Sequence, residues 1–353
     1  MNPTPADLPR AYRYWTLAAA PGEGLPGPED FALREAPLPA PGPGQALTRT
    51  IYVSLDPYQW GYRRRGVEKP GEVAHARTVS QVVESRMDGF AAGDLVFTTG
   101  GWSEYALMGA DIPRPAYMIP RKLDPAQGRI SLAVGVLGML GLTAYAGMTL
   151  LAAPKAGETA VVSAASGGVG QIAGQLARIA GARVIGIAGA SAKCRFVERE
   201  LGFHACVSHV SPSFAADLAG ACPAGVDVYF ENVGGAVFDA VLPLFNPGAR
   251  MTICGLIATY GESGDARAAL MARGAAVLQA RDVTVRNLFV GDYVKNHQDA
   301  FLADMTPLVA AGAVRYREDI RHGLDAVPAA FAEMMRGGNF GKMIVQVGDD
   351  PTR

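Results

Sequence analysis

The sequence predicts an α/β protein in two parts: an irregular β domain, followed by an α/β domain whose parallel sheet is covered by helices on both faces. Three observations predict it. A chain of 353 residues is long for one hydrophobic core. Residues from about 30 to 125 form short β-rich runs, "QALTRTIYVSL", "RTVSQVVES" and "GDLVFTTGGWSEYALM", separated by Pro- and Gly-rich turns. Beyond them the rhythm changes to strand, helix, strand, and the strands are nearly continuously apolar, as in a parallel sheet buried on both faces.

The α/β part reads in order as a strand in "TAVVSAA", a helix in "GVGQIAGQLARIAG" and a strand in "ARVIGIAG". "VDVYFENVG", "AVFDAVLPLF" and "ARMTICGLI" continue the alternation. "DVTVRNLFVGDY" reads as a late strand and "AFLADMTPLVAAGAV" as a helix near the sheet's end. The β character of "GGNFGKMIVQVGD" then suits a chain that returns to complete the first domain. Between the two parts, Ile130–Ala153 carries no charge and is long enough to span a bilayer. Gly135, Gly138, Gly141 and Gly147 interrupt it and Pro154 follows, so it is read as buried helices.

Composition excludes several function classes. The formal net charge is -1 and the Lys and Arg residues are scattered, so no basic face marks a nucleic-acid or membrane partner. Cys194, Cys206, Cys222 and Cys254 contain no CxxC pair and no zinc-like spacing with His, so no metal is expected and a reducing compartment fits. "MNPTPADLPRAYRYW" has acidic and proline residues where a secretion signal needs an apolar run, so a cytoplasmic location is expected.

From Ala164 the chain reads A-x-x-G-x-x-G, with Gly167 and Gly170 in the second and third positions of a dinucleotide fingerprint and Gly168 between them. The motif follows a strand and opens a helix, where glycines let backbone N–H groups approach a pyrophosphate. The next strand ends near Gly189 without the Asp or Glu that would bind a ribose 2′-hydroxyl. "AGASAKCR" offers Ser191, Lys193 and Arg195 instead, which suits a 2′-phosphate and favours NADPH over NADH.

"GLTAYAG", "SAASGGVG", "GASAKCRFVERELGF", "DVYFENVGG", "CGLIATY" and "GNFGK", with "SLDPY" and "GDLVFTTGGWSEYAL" upstream, resemble the zinc-independent medium-chain dehydrogenase/reductases. The branch is that of the prostaglandin reductases, leukotriene B4 12-hydroxydehydrogenases and alkenal double-bond reductases. The resemblance runs over nearly the whole chain. It implies a GroES-like β-barrel domain (1–128), a Rossmann doubly wound domain (129–312) and a return segment (313–353) completing the first. It also implies a homodimer joined through the Rossmann sheets, and NADPH-dependent reduction of a C=C bond conjugated to a carbonyl in a small enone or enal. Carried over by position, Gly167, Gly168, Val169 and Gly170 would hold the pyrophosphate, with Ser166 also on the cofactor, and Lys193 the 2′-phosphate; His209, where relatives have a tyrosine, could stack or hydrogen-bond beside that phosphate or be a surface histidine. Asn232, Cys254, Gly255 and Ile257 would line the cofactor, and Leu288, Phe289 and Val290 would offer backbone to the nicotinamide amide. Met139 and Thr143 would flank that ring, and Asn339 would close over the cofactor.

Hydride transfer to the β-carbon builds negative charge on the carbonyl oxygen, so a donor aimed there lowers the barrier. By position Tyr260 takes that role, as enolate stabiliser and proton donor, and Tyr58 in "SLDPY" is the second catalytic candidate. Zinc-dependent relatives place a Cys at the "SLDPY" turn and a His-Glu pair downstream; neither is present. The chain departs from its relatives at Gln59, Trp60 and His75, which are expected on the substrate side. Trp60 and Tyr58 could form an aromatic wall, with Arg63, Arg64 or Arg65 pairing an acidic tail, or the segment is a folded turn that packs Trp60 and leaves the three arginines in solvent. Leu140 replaces a proline, which frees the backbone there. These changes leave open a specialised biosynthetic reductase or cyclising enzyme, or a quinone reductase. A non-catalytic NADPH binder is the alternative of another class, and it has no need of a polar donor at Tyr260.

Overall fold

The computed structural model describes residues 8–353, so the part of the N-terminal reading that rests on residues 1–7 lies outside the described residues. The described chain divides into two compact units. The first runs to Gly138 and is completed by Asp319–Asn339 and Met343–Arg353; the second is Met139–Glu318 with Phe340–Lys342.

In the first unit, β1 (Ala11–Leu17) and β2 (Phe31–Pro37) form an antiparallel ribbon. After β3 (Gln45–Ser54) comes the short helix α1 (Tyr58–Arg64), then β4 (Thr78–Ser85), β5 (Leu95–Thr98), β6 (Tyr105–Gly109) and β7 (Arg121–Lys122). The larger sheet has the order β14-β15-β3-β4-β5-β7, where β14 is Glu318–His322 and β15 is Lys342–Gln346. The long β3 pairs with β6 through its first half and with β15 through its second. Register shifts at Leu47/Thr48 and Thr50/Tyr52 bend it, which is how one strand serves both neighbours. The helix α9 (Val327–Met335) lies in the return segment. Ile51, Tyr52, Val79, Phe97 and Ile344 are 4 % exposed or less in this unit's core. Ile130, Ala133 and Val134 join that core from a 3-10 turn, which is why the first unit extends past residue 128.

The second unit opens with α2 (Met139–Tyr145), followed by a wider π-helical turn at Ala146–Ala152. Strand and helix then alternate: β8 (Thr159–Val162), α3 (Gly170–Ile179), β9 (Arg183–Ala188), α4 (Ser191–Arg199), β10 (Ala205–Ser208), α5 (Phe214–Ala221) and β11 (Val226–Glu231). After α6 (Gly235–Val241), β12 (Phe245–Ile253), α7 (Ala266–Ala280), β13 (Thr284–Asn287) and α8 (Gly291–Ala310) complete it. The six strands are parallel in the order β10-β9-β8-β11-β12-β13, the doubly wound arrangement expected of a Rossmann domain. Val161, Ile185, Ile187, Tyr229, Met251 and Ile253 are at most 1 % exposed. Burying each stabilises the sheet by roughly 1.5–3 kcal/mol.

The uncharged stretch from Ile130 to Ala153 thus breaks into three short turns and helices, and among the described residues no helix is long and apolar enough to cross a membrane. Arg250 ends the last of them: its guanidinium donates to the Ala152 and Ala153 carbonyls and pairs with Glu158 at 2.6 Å. Two elements lie outside the apolar rhythm of the sequence. β10 has only four residues, and α7 is rich in small residues but starts on Asp265, whose carboxylate accepts from the Arg267 and Ala268 N–H groups.

Candidate active site

The sheet order reverses between β8 and β11, and in doubly wound folds ligands bind beyond the carboxyl ends of the strands at such a point. The loop after β8 begins with Ala164 in the left-handed region, φ 49°. That conformation costs about 1 kcal/mol for a residue with a Cβ, and it turns the Ala164 carbonyl to accept the Gly167 N–H at 2.8 Å. A Cβ on Gly170 would collide with the same carbonyl, and one on Gly168 with Leu140 Cδ2. Leu140 is therefore packed against the loop rather than loosening it. No side chain caps the start of α3, and among the described residues the N–H groups of Gly168, Val169 and Gly170 have no intramolecular acceptor. Three converging donors at a helix N-terminus fit a pyrophosphate. Ser166 is buried beside them, 6 % exposed.

At the end of β9 the chain is tied to the end of β10. The His209 N–H donates to the Ala188 carbonyl at 3.0 Å and the Ser208 hydroxyl to the Gly189 carbonyl at 3.2 Å. This brings His209 beside the first turn of α4, which carries Lys193. Desolvation lowers the His209 pKa, and the charge of Lys193 lowers it further, so the two are electrostatic neighbours. No carboxylate stands between Gly189 and Arg195. A cation and an uncharged ring, with no acid, fit a phosphate better than a ribose hydroxyl.

The loop after β11 is locked to β8 by Glu231, which the sequence reading does not single out. Its carboxylate is fully buried and accepts from Ser163 Oγ at 2.8 Å, Tyr229 Oη at 2.7 Å and the Val233 N–H at 2.6 Å. Burial raises its pKa against those three donors. Ser163 Oγ in turn accepts from the Asn232 N–H, and Asn232 Nδ2 donates to the Ser163 carbonyl, each at 2.7 Å. Asn232 is thereby fixed between the β8 and β11 ends. The only sequence signal for this clamp is an acid at the end of an apolar strand, "VDVYFE".

The run from Cys254 to Tyr260 hangs from the same loop. Cys254 and Gly255 donate their N–H groups to the Glu231 carbonyl, at 2.9 and 3.1 Å, and the Ile257 N–H donates to the Asn232 carbonyl at 3.1 Å. Burial pushes the Cys254 thiol up to about 12, so it stays protonated. The Tyr260 ring packs on the sheet's apolar cluster, with its hydroxyl 3.3 Å from where a Gly255 Cβ would stand. The Leu288 N–H donates to the Ile253 carbonyl at 3.0 Å, which sets Leu288, Phe289 and Val290 next to that run. On α2, the Thr143 hydroxyl donates to the Met139 carbonyl at 2.6 Å. The second unit therefore brings together the loop glycines, Asn232 and the Cys254–Tyr260 run, and it holds Lys193 and His209 as a separate pair.

The remaining candidates lie in the first unit. Tyr58 Oη and His75 Nε2 are 3.1 Å apart, Tyr62 stacks on His75 with ring centroids 6.2 Å apart, and Tyr62 Oη lies 3.2 Å from Tyr117 Oη. The Arg77 guanidinium stands 5.6 Å from the Tyr58 ring centroid and pairs with Asp56 at 2.6 Å. Asn339 ends the first of the two stretches, Asp319–Asn339 and Met343–Arg353, that complete this unit. For Gln59 and Trp60 the structure shows a packed turn rather than an open aromatic wall. Gln59 is fully buried, its amide bonded to the Asp56 N–H and the Ser54 carbonyl. Trp60 is 2 % exposed and donates to the Gly24 carbonyl at 2.9 Å, so neither side chain has surface for a substrate. Arg63 is also internal: it pairs with Glu68 at 2.9 Å and lies 4.3 Å from the Trp102 ring centroid, inside a cage with Phe31 and Phe331. The signal that it is internal would have been the acid five residues on, within one turn and loop.

Residues 13–113 match a family model described as the N-terminal domain of oxidoreductase, and residues 168–305 one described as zinc-binding dehydrogenase. The chain is 40% identical to an NADPH-dependent curcumin reductase of Escherichia coli over 96% of this chain and 98% of that one. It is 33% identical to prostaglandin reductase 1 of Rattus norvegicus, over 94% and 98% of the two chains. The crystal structure of CurA from Vibrio vulnificus in complex with NADPH superposes with a TM-score of 0.83 at 39% identity, covering 96% of this chain and 100% of that one. The chain belongs to the medium-chain dehydrogenase/reductase family. Its relatives place it in the branch that contains the prostaglandin reductases, so it is an oxidoreductase. In this medium-chain reductase, no group of three or more His, Cys, Asp or Glu among the described residues is placed to hold a metal.

Proposed function

We propose that this chain reduces the C=C bond of α,β-unsaturated ketones or aldehydes with NADPH. The observation that carries the reading is the pairing of an uncapped glycine loop with Lys193 and His209 at the end of β9, where no carboxylate stands. Bound NADPH supplies the hydride that the β-carbon of the substrate receives. Gly167, Gly168, Val169 and Gly170 hold its pyrophosphate, and Lys193 holds its 2′-phosphate. Asn232, Cys254, Gly255, Ile257 and the Leu288–Val290 backbone line it, with Met139 and Thr143 beside the nicotinamide and Asn339 closing over it.

Tyr260 donates its phenolic hydrogen bond to the carbonyl oxygen, which becomes an enolate oxygen, and delivers a proton. Tyr58, partnered by His75, serves the substrate side. The curcumin reductase is named for NADPH and for curcumin, an enone, and CurA is solved in complex with NADPH, which supports the substrate class through the first and the cofactor through both. The test is turnover of NADPH and NADH with a panel of enones, enals, quinones and simple alcohols. Oxidation of NADPH by enones and enals is the expected result; none with any enone would remove the reading, and equal use of NADH would remove the role of Lys193.

The exposed edge of β13 supports a homodimer joined through the second unit's sheet, since Thr284, Arg286 and Asn287 are exposed on a strand with one open edge. Sedimentation at micromolar concentration tests it. A cytoplasmic location completes the proposal.

A further inference from the structure

Cys206 donates its thiol hydrogen bond to Cys194 Sγ at 3.0 Å, and neither is in a disulfide. Cys194 lies on the sheet-facing side of α4 with Val197, and Cys206 is partly exposed on β10, the edge strand of the sheet. Both are carried on fixed backbone. Cys206 is in register with Gly186 of β9 and its N–H is held by Glu198 Oε1 at 2.8 Å, while the Cys194 N–H donates to the Ala190 carbonyl at 3.0 Å. Accepting the Cys206 hydrogen bond favours the Cys194 thiolate, as do the Ala188 N–H and the first turn of a helix. Giving that bond pushes the Cys206 thiol up. Burial and the charge of Glu198 oppose the shift at Cys194, and what the geometry holds is two free thiols in contact at 3.0 Å, one of them favoured as the nucleophile, the arrangement of an attacking and a resolving cysteine.

We propose that Cys194 and Cys206 form an oxidative modification site, closed to a disulfide by a peroxide, and that its closure weakens NADPH binding at the adjoining Lys193. The second half rests on the reading of Lys193 as the 2′-phosphate contact. The Cys194 thiolate attacks one peroxide oxygen, the O–O bond breaks and water leaves, giving a sulfenic acid. Cys206 attacks that sulfur, the S–O bond breaks and a second water leaves. Two thiols are oxidised by two electrons and hydrogen peroxide is reduced to two waters. A covalent S–S bond is about 2 Å long, so the sulfurs must draw together. Lys193 directly precedes Cys194, and His209 follows the strand that carries Cys206, so the movement falls on both phosphate-facing residues.

The experiment treats the full chain with hydrogen peroxide and then with dithiothreitol. At each stage it reads NADPH and NADH affinity by fluorescence, and a non-reducing digest by mass spectrometry. A cross-linked Cys194–Cys206 peptide, with NADPH affinity several-fold weaker and restored by the reductant while NADH affinity is unchanged, is the expected outcome. Cys206→Ser, which keeps Cys222 and Cys254, should show neither change. Absence of the cross-link, or a cross-link that leaves NADPH affinity intact, overturns the proposal. Reduced Lys193→Ala separates the two readings: unchanged NADPH affinity in that variant refutes the Lys193 assignment, and with it the weakening, whatever the cysteines do.

Discussion

Tyr58 Oη and His75 Nε2 stand 3.1 Å apart as a pair of uncharged groups. Burial, reinforced by the charges of Arg63 and Arg77, lowers the His75 pKa to about 4, and burial pushes the Tyr58 phenol well above its ordinary value. The folded state therefore binds fewer protons at His75 than the unfolded chain does between pH 6.5 and about 4. Stability from this residue is intact above the upper limit and is lost as pH falls through the window, at roughly 1.4 kcal/mol per pH unit at most. Thermal unfolding across that range should show the loss, and His75→Phe should flatten it. Glu68 and Glu231, whose carboxyls are raised by burial, act in the opposite sense and remain in that variant.

Lys193→Ala should raise the KM for NADPH about tenfold, the worth of one charge-assisted hydrogen bond to a phosphate, and leave that for NADH unchanged. Steady-state kinetics with both cofactors and one enone is the measurement. A parallel rise for both would place Lys193 elsewhere.

Tyr260→Phe removes one hydroxyl from a ring that stays packed on the sheet's apolar cluster. The fold should be retained and kcat should fall by on the order of 10², as for loss of an oxyanion donor, while the KM for NADPH is unchanged. Full turnover by the variant would take the phenol out of the reaction.

Glu68→Ala strands the Arg63 guanidinium in its aromatic cage, where the arginine side chain has no exposure and its Nη1 has no hydrogen-bond partner even in the intact protein. Leaving a buried charge unpaired costs about 3–5 kcal/mol. Denaturant unfolding should show that loss. A double substitution, Arg63→Met with Glu68→Leu, should recover most of it, because the cation leaves with its partner.

The alternation of apolar strands and helices made the second unit legible: β8, α3, β9, β11, β12 and β13 all lie on stretches with that rhythm. The glycine loop was legible because Gly167, Gly168 and Gly170 are spaced by the turn they make. Trp60 and Gln59 were not, since an aromatic and an amide after a proline turn look the same whether they face solvent or Gly24 and Ser54. The same limit hid Glu231: its partners Ser163 and Tyr229 come together only when β8 and β11 become neighbours, and no local pattern records that. Lys193 and His209 are likewise joined only by the pairing of β9 with β10.

The strand β15 is inserted between β14 and β3, and β3 is made near the start of the chain. During synthesis the first unit must wait, its longest strand held by β4 but lacking its β15 neighbour over Tyr52–Ser54, until Lys342–Gln346 leave the ribosome. The second unit is nearly continuous from Met139 to Glu318 and can close first. The order of birth and the order of folding are thus reversed, and the half-made β3 edge is the surface a nascent chain would need to have shielded.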